Sequence, residues 1–115
     1  MTLHTTIYWV LLSAIWYFAN GALHDFFIVR NHKGKYDRDL LRLLMDGHVL
    51  MLSGAILFIT FIMLRHDIPY AGWINIIVAL GMLIYCAMIF PFLKSIMTII
   101  ISLILLIVSL VYALQ

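Results

Sequence analysis

The chain has 115 residues, of which 66% are hydrophobic and 10% charged, with a formal net charge of +2. Soluble domains carry about a quarter charged residues, so this composition, with a mean hydropathy of +1.14, excludes an ordinary soluble globule and points to the membrane. The length allows one domain, and the small charge, gathered beside an apolar run, gives no reason to expect nucleic acid as a partner.

An apolar run of about 20 residues crosses a hydrocarbon core about 30 Å thick. Four segments reach that length, predicting spans at approximately residues 5–29, 40–64, 70–90 and 95–114. The first has no Lys or Arg ahead of it and is too long for the apolar part of a signal peptide, so it is expected to be retained. It runs into the polar connection Arg30 to Asp39 (RNHKGKYDRD), where Gly34 marks a water-exposed turn. The second connection, around Arg65-His66-Asp67 and Pro69, is short, and the third, Pro91 to Lys94, is shorter. Short connections force neighbouring helices to run antiparallel. The expected fold is therefore all-α, four transmembrane helices in an up-down-up-down bundle.

Arg30, Lys33, Lys35, Arg38 and Arg42 flank the first turn, whereas the opposite face receives Arg65. The positive-inside rule then places residues 30–39 in the cytoplasm and both termini outside, in a cytoplasmic or inner membrane. Tyr8, Trp9, Tyr70, Trp73 and Tyr112 would form one interfacial belt, and Phe26, Phe27, Tyr36, Phe90 and Phe92 the other. No internal repeat is visible. Beyond the lipid bilayer, the expected partners are a second copy of the chain or a larger membrane complex.

Helical spacing aligns Ser13, Tyr17, Asn20 and His24 on the first span, and Asp39, Arg42, Asp46, Ser53 and Thr60 on the second. Asn75, Met82, Tyr85 and Cys86 make a thinner stripe on the third. Ser95, Thr98, Ser102, Ser109 and Tyr112 make one on the fourth. Lipid tails offer polar groups no partners, so these stripes are expected to face the bundle interior. The hydroxyl residues, and Gly47, Gly54, Gly72 and Gly81, read first as close-packing positions. Cys86, the single cysteine, has no disulfide partner and also reads as packing.

Folding the first two spans about Gly34 or Lys35 pairs residues whose numbers sum to about 70. His24 comes level with Asp46, Asn20 with Leu50, and Arg42 with Ile28. Asn20, His24, Asp25, Arg42, Asp46 and His48 are the candidate ligand- or ion-binding residues, and Tyr17, Tyr85, Thr98 and Ser102 the candidate pocket lining. A carboxylate held in the apolar layer must find a proton, a cation or a donor.

The simplest reading is a clamp in which Arg42, with His24 as a second candidate, neutralises Asp25 and Asp46 and holds the hairpin together, Arg42 and Asp46 being ideally spaced for a local pair. The functional readings use His24 and Asp46 as ligands for a divalent metal or as a proton-transferring pair. Haem fits poorly, because adjacent helices lie only about 8–10 Å apart. Successive residues turn by about 100°, so Asp25 diverges from His24, and His48 from Asp46. His48 is therefore expected to face the third span, the fourth span or another subunit. His4, His32 and His66 read as turn or span-end residues. The expected function is binding or transport of a small polar ligand, proton or ion. A membrane enzyme acting on a lipid-soluble substrate through the same residues and an accessory subunit are the alternatives.

Overall fold

A computed structural model describes residues 3–91 and 94–115. It is all-helical: α1 (Leu3–Asn31), α2 (Arg38–Arg65), α3 (Ala71–Ile89) and α4 (Ile96–Leu114). All four helices are long and apolar enough to cross a membrane. Their ends lie within about two residues of the predicted spans, because apolar length and the intervening polar or Pro-containing stretches coincide. The belt assignment of Phe92 lies outside the described residues.

Local chemistry explains the turns. Asp37 caps α2, its carboxylate accepting a 2.8 Å hydrogen bond from the Leu40 backbone N–H, and Gly34 takes φ +110°, a conformation that favours glycine. His32 Nε2 approaches the Lys35 carbonyl at 3.0 Å and the Asp37 carboxylate at 3.7 Å, tying the turn together. At the other end of α2, Asp67 adopts φ 58°. Its N–H reaches the Leu64 carbonyl, and the N–H of Ile68 reaches that of Met63. This is a Schellman termination with aspartate in the place usually taken by glycine.

α1 packs against α2 and α4, and α3 packs against α4 and α2. The α1–α2 seam is the tightest, and small residues make it so. A Cβ on Gly54 would lie 2.8 Å from the Ala14 carbonyl oxygen, and one on Gly47 would lie 2.6 Å from the Gly21 carbonyl oxygen. Ala14 and Gly21 are seven residues apart, as are Gly47 and Gly54, so each pair returns to one helix face. Residue numbers fall along α2 as they rise along α1, with contacting pairs close to the expected sum of 70.

Gly72 similarly admits the ring of Tyr112. Gly81 departs from the close-packing expectation: it is exposed, and a Cβ there would meet nothing within 4 Å. The core between the helices is built from Val10, Ala14, Tyr17, Leu57, Leu64, Met82 and Leu105.

Helix lengths differ in a way that matters for the site. α3 and α4 have 19 residues each, or about 28 Å at 1.5 Å per residue, whereas α1 and α2 have 29 and 28, about 43 Å. Asp46 is level with Tyr85, and His24 shares a cavity with Ile89 and Ser95, which bracket the α3–α4 connection. The α1–α2 hairpin therefore overhangs α3 and α4 at the end carrying the basic turn.

Candidate functional site

The site forms where the α1–α2 hairpin meets the paired ends of α3 and α4. Four polar positions of α1 separated by three or four residues point along one face, and α4 answers with hydroxyls at matching spacing. Tyr17 and Ser102 share a buried hydroxyl–hydroxyl hydrogen bond. One turn on, Trp16 Nε1 and Asn20 Nδ2 both donate to Thr98 Oγ1, at 3.1 and 3.2 Å. His24 comes next on this stripe.

Beyond Thr98 the helices enclose a cavity of about 50 Å³, lined by Asn20, His24, Asp46 and Leu50 from the hairpin and Tyr85, Cys86, Ile89, Ser95 and Thr98 from the other two helices. Since roughly 10–15 Å³ in this measure holds one water, the space suits a few waters or one small ion with part of its hydration shell. Pockets for drug-sized ligands run to about 300–1,000 Å³, well above this volume.

The polar groups around the cavity are oriented by specific bonds. His24 Nε2 donates to the Leu43 carbonyl oxygen at 3.1 Å, which sets the tautomer and leaves Nδ1 as the acceptor of the neutral ring. Tyr85 donates its hydroxyl to the Asp46 carbonyl oxygen at 3.3 Å and lies beside the Asp46 carboxylate. The arrangement offers one carboxylate, one imidazole able to take up a proton, one amide oxygen and several hydroxyls. Chemically it can hold a proton or a hydrated cation and pass a proton between Asp46 and His24 through water.

Asn20, His24, Asp46, Tyr85 and Thr98 are thus brought together. Tyr17 and Ser102 bond to each other one step deeper, fully buried and outside the cavity wall. Asp25 lies on the α1–α2 seam: its Oδ1 is buried against Gly47 and has no hydrogen-bond partner among the described residues. His24, His48 and Asp46 are near enough to act on its charge.

Two candidates stand apart. Arg42 is exposed and forms no ion pair among the described residues, so the expected clamp to Asp25 or Asp46 is not made. By the register of Asp46 with Tyr85, Arg42 lies level with Ile89 at the end of α3, where it is exposed. His48 faces neither the third nor the fourth helix. It is exposed on the outward side of α2, in a groove with Tyr36, Leu41, Leu44, Met45, Val49 and Leu52.

Sequence reasoning did not place Ser95 and Cys86 in the cavity wall or Trp16 on Thr98, and it did not include Gly21 among the close-packing positions. Ser95 was visible on the α4 stripe. The seven-residue spacing of Ala14 and Gly21, matching that of Gly47 and Gly54, would have pointed to Gly21.

Among the described residues, no group of three or more His, Cys, Asp or Glu side chains is placed to hold a metal ion. His24 and Asp46 would supply two ligands, short of the three or four protein ligands usual for zinc. No family model, curated protein or solved structure matches the chain. What fold and site together define is a class: a small all-α protein of four helices apolar enough to cross a membrane, enclosing a polar cavity near one end.

Proposed function

We propose that this is an integral membrane protein, an up-down-up-down bundle with its basic turn on the cytoplasmic side and both termini outside, that binds a proton or small cation in the cavity at His24 and Asp46 as a step in its movement. The observation that carries this reading is a carboxylate and an imidazole lining one small polar cavity between four apolar helices. An ionisable pair in that setting is expensive to bury, and a bound proton or cation offsets the expense. The cavity's size favours such a ligand over the lipid-soluble substrate that an enzyme reading requires.

With α3 and α4 each just long enough to span the hydrocarbon core, the cavity lies at its cytoplasmic edge and the overhanging hairpin stands in the headgroup layer. Arg42 and the other basic residues there face anionic headgroups and water. The Asn20 amide on the Thr98 hydroxyl and the Tyr17–Ser102 hydroxyl pair continue inward from the cavity.

The test is proton and monovalent-cation flux into liposomes containing purified protein, driven by an imposed gradient and read with an internal pH or ion indicator. Asp46→Asn and His24→Gln should each lower the flux at least tenfold. Glutamine can keep the bond to the Leu43 carbonyl while losing the titratable ring, so a structural role for His24 would survive that change. Wild-type protein with no flux and no ion-dependent shift in the His24 resonance would overturn the reading, as would flux unchanged in Asp46→Asn.

A further inference from the structure

The half of the bundle away from the cavity holds a second polar feature that the cavity does not explain. Asn75 on α3 is fully buried, and neither its amide nitrogen nor its amide oxygen has a hydrogen-bond partner among the described residues. Ser109 on α4 is also fully buried, and its hydroxyl is likewise unpartnered. A buried amide without partners is among the costliest arrangements in an apolar core, and nearly all such groups are satisfied by protein or by ordered water.

The helix register brings these two residues together. Gly72 of α3 lies against Tyr112 of α4. Moving one turn inward on each helix reaches Asn75 and Ser109, both on faces turned towards the core. They are level yet do not bond each other. From α1, the register set by Tyr17 with Ser102 brings Val10 to the same level, seven residues back along α1 and seven onward along α4.

From α2, Thr60 has its hydroxyl proton committed to the Leu57 carbonyl, so its oxygen can only accept. The unpartnered atoms at this level are one amide donor, one amide acceptor and one hydroxyl that can do either. The complementary ligand is small, uncharged, and both donates and accepts.

We infer that Asn75 and Ser109 form a second buried site, in the half of the bundle opposite the cavity, that binds water bridging the amide and the hydroxyl. Ser109 is eleven residues beyond Thr98 on the same α4 stripe, about 16 Å along the helix. The site therefore gives the bundle a wet station at each end of one polar face. Leu105, fully buried, stands between them.

The measurement is water-to-protein proton transfer to side-chain amides, by solid-state NMR of the full chain in liposomes. The Asn75 amide should receive transfer from water. Ser109→Thr, which keeps the hydroxyl, should retain it. Ser109→Val, which removes the hydroxyl and fills its space, should reduce it at least fivefold; Ser109→Ala replaces it if the valine variant does not fold. No transfer to Asn75 in the unsubstituted protein overturns the inference. So does transfer that is unchanged in Ser109→Val or Ser109→Ala, which would place the water elsewhere. Asn20, which lines the cavity, is read in the same spectrum. A dry Asn75 beside a wet Asn20 removes this site and leaves the cavity, whereas the reverse removes the cavity's ion reading and leaves this site.

Discussion

Gly47 and Asp25 illustrate how much one position decides. Gly47 has the backbone of Gly21 on one side and the Asp25 carboxylate on the other, so an alanine there would collide with both. Gly47→Ala should lower stability by about 1–3 kcal/mol, the usual cost of overpacking. The comparison is Gly81→Ala, where a Cβ meets nothing and the loss should be absent. Denaturant or thermal unfolding in mild detergent measures both. Asp25→Asn should raise the unfolding temperature, since it removes a half-buried carboxylate whose Oδ1 accepts no hydrogen bond among the described residues. An unchanged or lower temperature would mean that Asp25 is satisfied by a bound cation. Tyr17→Phe should cost about 1 kcal/mol through the lost bond to Ser102 and leave the helices in place.

At the scale of the helices, the ends were legible because their chemistry is local. The polar run Arg30 to Asp39 with Gly34 marked one turn, and Pro69 marked the next. The Schellman ending at Asp67 was not legible. Aspartate is a tolerated but uncommon occupant of its positive-φ position, and the pattern of hydrogen bonds appears only once Ile68 folds back onto Met63. Asp67→Gly should preserve or slightly raise stability, and Asp67→Val should lower it, because a β-branched residue is strained at that φ. The depth register of the hairpin was likewise readable, since a fixed rise per residue brings His24 level with Asp46 once the turn is placed. The failure of the Arg42 clamp was not. That outcome depends on how α2 is rotated against its neighbours, which leaves Arg42 exposed and which its own sequence does not state.

For the whole molecule, the helices expose large apolar side chains: Ile77, Ile84, Met88 and Ile107 are all more than half exposed, as the proposed membrane setting requires. A self-associating protein would cover part of this surface. The open face around Gly81 gives the proposal of a second copy a direct test. Gly81→Leu should leave the mass measured in detergent unchanged if that face meets lipid, and should dissociate a dimer packed through it. Reversing the charge of the basic turn with Lys33→Glu, Lys35→Glu and Arg38→Glu should weaken or invert the orientation. Labelling of an introduced cysteine in the turn from either side of sealed vesicles reads this out.

The sequence by itself determined four apolar helices, their ends to within about two residues, and the level at which His24 and Asp46 meet. These follow from span length, the polar or Pro-containing connections and the constant rise and turn of an α-helix. Only the tertiary structure decided which polar residues share a cavity. It brought Ser95 and Cys86 into the wall, turned His48 outward, left Arg42 exposed with no ion pair among the described residues and aligned Asn75 with Ser109. The physical reason is that periodicity fixes the faces of each helix but not its rotation or offset against its neighbours. Those are set by where backbones can approach, as at Gly21, Gly47 and Gly54, where the absence of three side chains lets the hairpin close.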